Sequence, residues 1–370
     1  MRIAFVGGGT GGHFYPLIAT AEAIRETNKT VELIYIGPTS YDEAELKANN
    51  IRHVYCPAGK IRRYFSFQNL IDSFKTFAGL FVALYQLFVW YPDVIFSKGG
   101  YTSVPILIMA RFYRIPVVIH ESDSKPGRAS LLGKNFAQYI GIAYAEVARY
   151  FPEVRTALVG IPIRKVIASN VSDPFTKLGL PDDLPLIYVT GGSLGADRIN
   201  ALVLKSLVKL LPEYRIFHQT GAALEQTVIQ TAQALVSDSI LLSRYYVKGS
   251  VTASTMAALL EAASIVITRA GSTSLFEIAL HGKPSIVIPI PEEISHDQRT
   301  NAYAYARTGA ASVLEEGNLT ENLLTAEIQS IMGDAVKYQQ MSAAAKAFAK
   351  PAAAATVAAA LISIGIEHGS

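Results

Sequence analysis

Two stretches of this chain share one pattern: a short apolar run, a glycine-rich turn, then residues at helical spacing. The first is Arg2-Ile3-Ala4-Phe5-Val6 running into Gly7-Gly8-Gly9-Thr10-Gly11-Gly12-His13. The second is Leu186-Ile187-Tyr188-Val189-Thr190 running into Gly191-Gly192-Ser193-Leu194-Gly195-Ala196. A strand that feeds a helix through glycines lets backbone N–H groups approach an anion or a substrate. Glycine is needed there because the turn requires positive φ or because a side chain would block the approach. A unit of this kind commits the chain to buried parallel strands flanked by helices. Its return halfway along a chain of 370 residues predicts an α/β protein of two Rossmann-like domains facing each other across a cleft. Leu17, Ala21 and Ile24 place the start of the first helix near Pro16, and the second helix begins near Asp197.

The first half continues with strands at Val31–Gly37, Ile51–Cys56, Asp93–Ser97 and Pro116–Glu121. Ligands of open α/β sheets bind beyond the carboxyl ends of the strands, so polar or glycine-rich loops at 7–13, 98–103 and 120–127 converge on one edge. A linker follows near Gly160–Arg164. The second half has strands at Tyr214–Phe217, Ile240–Leu242, Ile265–Thr268 and Ser285–Pro289, with a helix at Met256–Ser264. Arg269-Ala270-Gly271-Ser272-Thr273-Ser274 opens another helix that carries Glu277. The expected divisions are 1–160, 161–342, and an alanine-rich helical tail, 343–370, bridging back to the first domain.

A net charge of +3 is too small to argue for a nucleic-acid partner. A single cysteine, Cys56, excludes an intramolecular disulfide framework and fits a reducing cytoplasm. No cleavable secretory signal is visible at the start. The longest apolar run, Ala78–Tyr91, is shorter than the roughly 20 residues that a membrane span needs. Residues 60–91 nonetheless stand out. Lys60, Arg62 and Arg63 precede Tyr64, Phe65 and Phe67, and the following helix carries Leu70, Ile71, Phe74, Phe77, Leu80, Phe81, Leu84, Leu87 and Phe88. It reads as a core helix behind a cationic turn, or as a basic and aromatic surface that rests on anionic lipid.

Neither glycine loop is followed by the Lys-Ser/Thr of a P-loop, and the first departs from the dinucleotide fingerprint, so no nicotinamide or other cofactor is expected. No two aspartates stand two positions apart, so a leaving diphosphate would depend on helix dipoles and arginine, with no metal. Two helix N-termini, Ser193 and Arg164 could hold such a diphosphate. Glu277 is either a helix-dipole partner or an acceptor for paired ribose hydroxyls. His296, Asp297, Gln298 and Asn301 form either a solvated loop or a site for sugar hydroxyls. His13, held after a glycine loop, is a candidate proton acceptor, whereas His120 reads as structural or loop-orienting. His53, His218 and His281 carry no motif.

Together these loops resemble the bacterial MurG transferases, which add N-acetylglucosamine to lipid I in peptidoglycan synthesis. The markers are Gly8–His13 with Pro16, Gly99-Gly100-Tyr101, Pro116–Glu121 with Pro126-Gly127, Gly160–Arg164, Gly191-Gly192-Ser193 with Gly195-Ala196, Arg269-Ala270-Gly271 with Glu277, and Asp297-Gln298 with Asn301-Ala302. The resemblance covers nearly the whole chain. It implies a GT-B fold and an inverting transfer from UDP-N-acetylglucosamine to the carbon-4 hydroxyl of undecaprenyl-diphosphate-linked N-acetylmuramoyl-pentapeptide, at the cytoplasmic face of the cell membrane as a peripheral protein. It also implies roles: His13 as base; Thr10, Gly11 and Gly12 lining the cleft; Asp123 in substrate binding; Arg164 and Ser193 on the diphosphate; Ser272, Thr273 and Glu277 on phosphates and ribose; backbone near Ala253 on uracil; Gln298 with Asp297 on sugar hydroxyls. Asp123 stands where many relatives have asparagine. The alternatives are a related transferase acting on another lipid, such as diacylglycerol, and a non-catalytic membrane-docking homologue.

Overall fold

The computed structural model describes residues 1–60, 67–192, 195–291 and 297–369. The chain divides into two compact units, Met1–Lys165 with Lys350–Ser370, and Val166–Ala349. The first unit holds seven parallel strands: β1 (Arg2–Val6), β2 (Glu32–Gly37), β3 (Ile51–Tyr55), β4 (Val94–Ser97), β5 (Val117–Glu121), β6 (Tyr139–Ile142) and β7 (Thr156–Leu158). Their order is β3-β2-β1-β4-β5-β6-β7. The second unit holds six more: β8 (Leu186–Thr190), β9 (Arg215–Gln219), β10 (Tyr245–Lys248), β11 (Ala263–Thr268), β12 (Ser285–Val287) and β13 (Ala311–Val313), in the order β10-β9-β8-β11-β12-β13. In both sheets the order reverses beside the first strand, and loops at such a reversal part to leave a crevice. The reversal explains why β1, β4 and β5 are neighbours and why the loops at their ends converge.

The central strands are apolar on both faces because helices cover both sides of a parallel sheet. In the first unit Ile3, Phe5, Leu33, Val94, Phe96 and Val118 pack against Phe14, Leu17, Ile18 and Ile24 of the Gly11–Thr27 helix. In the second, Ile187, Val189, Ile216, Ile265 and Ile267 pack against Ile199, Val203 and Leu207 of the Asp197–Leu210 helix.

The structure corrects four local expectations. The first helix starts at Gly11, five residues before Pro16. Glycines carry no apolar periodicity, so the spacing of Leu17, Ala21 and Ile24 cannot register the first turn. Ile240–Leu242 is a helical turn, because the Asp238 carboxylate accepts from the N–H groups of Ile240 and Leu241; the strand follows at Tyr245–Lys248. The alanine-rich tail is two helices, Ala335–Phe348 and Ala353–Gly369, interrupted at Pro351. A residue before proline avoids the helical region, and the second of these helices returns to the first unit. Finally, the apolar helix is continuous from Phe67 to Trp90. Leu70–Trp90 meets the length and composition of a membrane span, so counting only Ala78–Tyr91 understates it.

That helix is nonetheless built into the first unit along one side. Ala83 and Leu87 are fully buried. A Cβ on Gly79 would lie 2.0 Å from the Pro57 carbonyl oxygen, which shows how closely the backbones approach. The Tyr113 hydroxyl, at the end of the Val104–Tyr113 helix, donates to the Leu84 carbonyl at 3.2 Å.

The Ala353–Gly369 helix buries Val357, Ala358 and Leu361 in the core of the first unit. Leu361→Ala should lower the stability of that unit by about 2–5 kcal/mol, the usual range for a buried leucine truncation. Denaturant unfolding followed by fluorescence of Trp90, the sole tryptophan, reads this unit selectively.

Candidate active site

At the end of β1 the chain enters positive φ at Gly7 (136°) and again at Gly9 (87°). A Cβ on Gly7 would stand 2.8 Å from the Cβ of Lys98, so this loop can cross the end of β4 only as glycine. Thr10 then adopts extended backbone as the N-cap, with Gly11, Gly12 and His13 as the first three helical residues. Thr10 Oγ1 lies 2.8 Å from His13 Nδ1. The helix carries no acidic residue in its first turn, so its N-terminal partial charge, roughly half a unit, is not neutralised locally. His13 is half-buried. Desolvation holds its pKa below 6.5; Asp123 opposes this and Lys98 adds to it.

Lys98 follows β4 and is 2% exposed. Its Nζ donates to His120 Nδ1 at 2.6 Å and to Ser122 Oγ. His120 Nε2 lies 2.6 Å from the Gly160 carbonyl oxygen. A carbonyl only accepts, so Nε2 carries the proton and Nδ1 is the acceptor for Lys98. Burial and the charge of Lys98 hold His120 neutral, far below the ordinary range. This agrees with a loop-orienting role for His120. Burial likewise pulls Lys98 down to about 7, against the carboxylates of Glu121 and Asp123. Burial and the nearby Asp123 push Glu121 up to about 7. The Glu121 carboxylate accepts from the backbone N–H groups of Asp123 (3.1 Å) and Gly127 (2.9 Å), so the loop after β5 folds around it.

Arg164 lies in the first unit and is buried. Its Nη1 donates to Glu45 Oε1 at 2.8 Å, and its guanidinium carbon sits 4.0 Å from the centroid of the Tyr15 ring. Within the described structure this guanidinium is therefore held by a carboxylate and an aromatic face.

In the second unit Gly192 (φ 85°) and Gly195 (φ 77°) make the turn after β8; Ser193 lies outside the described residues. The helix that follows has Asp197 in its first turn, a negative charge that competes with any phosphate there. The Ser272–Leu280 helix differs. Its N-cap is Gly271, it has no acidic residue in its first turn, and Ser272 and Thr273 are its first two residues. Glu277, in its second turn, is buried and lies near enough to Tyr188 to add to the rise of that hydroxyl's pKa. Asp297 caps the Gln298–Ala306 helix, beyond the adjacent strand β12. The Gln298 side-chain Oε1 accepts from Ile290 N–H, and Asn301 Nδ2 donates to the Ala270 carbonyl, both at 3.4 Å. The fold thus brings Ser272, Thr273, Asp297 and Gln298 to adjacent loops. Ala253 opens the helix after β10, the edge strand, two strands from β8. His296 lies outside the described residues.

Sequence reasoning missed three groups. Lys98 and Glu121 organise the first site, and Arg269 ties together the second. Arg269 Nη1 donates to the carbonyls of Ile288 (3.1 Å) and Pro289 (3.3 Å) and to Glu316 Oε2 (2.5 Å). The available signal was a charged residue placed directly after a buried strand, at Lys98 and at Arg269 alike.

The glycosyltransferase family 28 N-terminal domain matches residues 3–142 and the family 28 C-terminal domain residues 186–357. A protein of Treponema denticola, named UDP-N-acetylglucosamine–N-acetylmuramyl-(pentapeptide) pyrophosphoryl-undecaprenol N-acetylglucosamine transferase, is 35% identical over 326 residues, covering 84% of this chain and 83% of its own. A Legionella pneumophila protein of the same name is 34% identical over 334 residues, covering 89% and 88%. Among solved structures, MurG of Acinetobacter baumannii aligns with a TM-score of 0.74 at 22% identity over 98% of this chain and 99% of that one. UDP-GlcNAc 2-epimerase of Neisseria meningitidis aligns with a TM-score of 0.70 at 14% identity, over 98% and 100%. At these identities the structural likeness establishes the fold, GT-B.

The burial of His13 sets a measurable titration. Imidazole resonances of His13 should titrate with a midpoint below 6.5, leaving it neutral at pH 7, whereas buried His218 should stay unprotonated down to about pH 3 because burial lowers it that far.

Proposed function

This chain belongs to the MurG family of glycosyltransferases, and on that premise we propose that it moves N-acetylglucosamine from UDP-N-acetylglucosamine to undecaprenyl-diphosphate-linked N-acetylmuramoyl-pentapeptide. The observation that carries the reading at the level of residues is His13. It is the third residue of a helix that starts in a glycine loop, it is bonded to Thr10, and it is held neutral near pH 7.

In the Nδ1–H tautomer His13 donates to Thr10 Oγ1, which leaves Nε2 as the acceptor for the reaction. Nε2 takes the proton of the carbon-4 hydroxyl while that oxygen attacks the anomeric carbon from the face opposite the diphosphate. The bond from the anomeric carbon to the diphosphate oxygen breaks and UDP leaves with the electron pair, so the configuration inverts. The N-terminus of the Ser272–Leu280 helix, with no acidic residue in its first turn, suits the growing negative charge. Ser272 and Thr273 contact the phosphates and Glu277 the ribose hydroxyls. Backbone near Ala253 meets the uracil, and Gln298 with Asp297 the sugar. Gly11, Gly12 and Asp123 line the acceptor side, and Ser193 supports the diphosphate. The division of labour follows the two units, acceptor on 1–165 and donor on 166–349.

The same reading places the protein peripherally on the cytoplasmic face of the membrane, where a nucleotide sugar is at hand. Leu70, Phe74, Phe77, Phe81, Tyr85 and Phe88 fall on one face of the Phe67–Trp90 helix, and each is more than half exposed. Phe112 is exposed on the helix packed beside it. Lys60, Lys75, Arg111 and Arg114 are exposed in the same segments. An apolar face bordered by cations suits an anionic lipid surface. The cationic turn at Arg62, Arg63, Tyr64 and Phe65 lies outside the described residues.

Labelled sugar should pass from UDP-N-acetylglucosamine to a lipid I analogue; absence of transfer by folded protein overturns the function. His13→Ala should slow transfer by about 10²–10⁴-fold, the usual share of a general base, with UDP-N-acetylglucosamine affinity retained in calorimetry. Near-normal turnover would place the base elsewhere. Phe74→Glu combined with Phe81→Glu should abolish cosedimentation with vesicles containing anionic phospholipid while leaving donor affinity unchanged.

A further inference from the structure

The loops after β1, β4 and β5 are not the only ones at the carboxyl edge of the first sheet. β2 flanks β1 on the side away from β4, so the loop between β2 and the Glu43–Ala48 helix reaches the same edge. It presents Tyr41. The φ of Tyr41 is 58°, in the left-handed region that a bulky side chain seldom occupies. Asn50, Tyr91 and Arg114 share that region just after helices, where it is usual. Tyr41 instead precedes a helix, and an outlier of this kind persists only where its surroundings impose it. The Tyr41 ring packs on Phe14, with centroids 4.9 Å apart, and edge-on to Tyr15 at 6.1 Å. The next residue, Asp42, accepts from the Tyr15 hydroxyl at 3.3 Å and from the Glu45 N–H at 3.1 Å.

None of this needs a hydroxyl at position 41. Phenylalanine would pack in the same way, and glycine or asparagine would suit the backbone better. Yet Tyr41 is 39% exposed, and its hydroxyl makes no hydrogen bond among the described residues. That hydroxyl stands over the start of the Gly11–Thr27 helix: a Cβ on Gly11 would come within 3.1 Å of its oxygen. Burial, and then the Asp42 carboxylate, raise its pKa, so at neutral pH it is a donor.

We propose that Tyr41 is a further substrate-binding residue of the acceptor side, its hydroxyl donating to a phosphate oxygen of the lipid-linked acceptor. The proposal rests on the reading of His13 as base. Gly11 and His13 are two residues apart, so they project to opposite sides of the helix. In the acceptor the reacting hydroxyl is on carbon 4 and the diphosphate on carbon 1, at opposite ends of one pyranose ring. With the carbon-4 hydroxyl at His13, the ring carries the diphosphate across the helix N-terminus toward Gly11 and Tyr41. A contact so far from the bonds that form and break is the same in the ground state and the transition state. Its loss therefore weakens binding of the acceptor without slowing the chemical step.

The test uses the full chain with Tyr41→Phe, UDP-N-acetylglucosamine and a lipid I analogue. The hydroxyl has no protein partner to lose, so the melting temperature should not change. KM for the lipid I analogue should rise about 10–100-fold, the worth of a hydrogen bond to a charged group, with kcat and the KM for UDP-N-acetylglucosamine unmoved. Folded Tyr41→Phe with an unmoved acceptor KM overturns the proposal. So does a pair in which Tyr41→Ala raises that KM and Tyr41→Phe does not, because the packing of the ring would then be what counts. Absence of transfer by the unaltered protein overturns the proposed function, and this proposal with it. Normal transfer by the unaltered protein together with either of the two earlier outcomes overturns the role of Tyr41 alone.

Discussion

At the strand reversal between β1 and β4, the backbone of Gly7 crosses so close to Lys98 that no side chain fits between them. Much of the first unit's site depends on this crossing. It allows the turn into Thr10, which caps the helix and sets His13 at its third position. It also seals Lys98 from water, and a sealed lysine must find donors' partners in the protein. Those partners, His120 and Ser122, belong to the next strand and its loop. Glu121, buried between them in sequence, then gathers that loop through the N–H groups of Asp123 and Gly127. One steric constraint thereby couples three loops that are far apart along the chain.

The second unit repeats the topology with a different electrostatic arrangement. Its glycine turn after β8 leads into a helix that already carries Asp197 in its first turn, whereas the helix after β11 opens on Gly271, Ser272 and Thr273. Two helix N-termini that look equivalent as strand–loop–helix units are therefore unequal as anion sites. Arg269 reinforces the difference. It spends its guanidinium on the Ile288 and Pro289 carbonyls and on Glu316, so it anchors the segment that leads to Asp297 and Gln298. Arg164, which by sequence suits a phosphate, is similarly engaged by Glu45 and Tyr15.

The Phe67–Trp90 helix shows how one element meets two demands. Ala83 and Leu87 hold it to the unit, and the aromatic row from Phe74 to Phe88 faces outward. An exposed apolar face of this length is rare on a protein surface unless something covers it, and a lipid-linked acceptor supplies a reason for the covering to be membrane.

Both the alternation of apolar runs with glycine turns and the location of the turns were legible in the residues, because strand burial and positive φ each impose a composition that can be read locally. The opening of the helix at Asp197, the loops after β1, β4 and β5, and the resemblance carried by seven markers all rest on that. The start at Gly11, the turn at Ile240–Leu242 and the break at Pro351 were not read correctly, since glycine has no apolar period, a capping carboxylate outweighs strand propensity, and alanine runs have no face. What only the tertiary structure decided is which charges end up buried together. The sequence by itself determined that His13 follows a glycine turn. That Asp123 and Lys98, from the loops after β5 and β4, act on it with opposite sign depends on strands being neighbours in space that are distant in the chain.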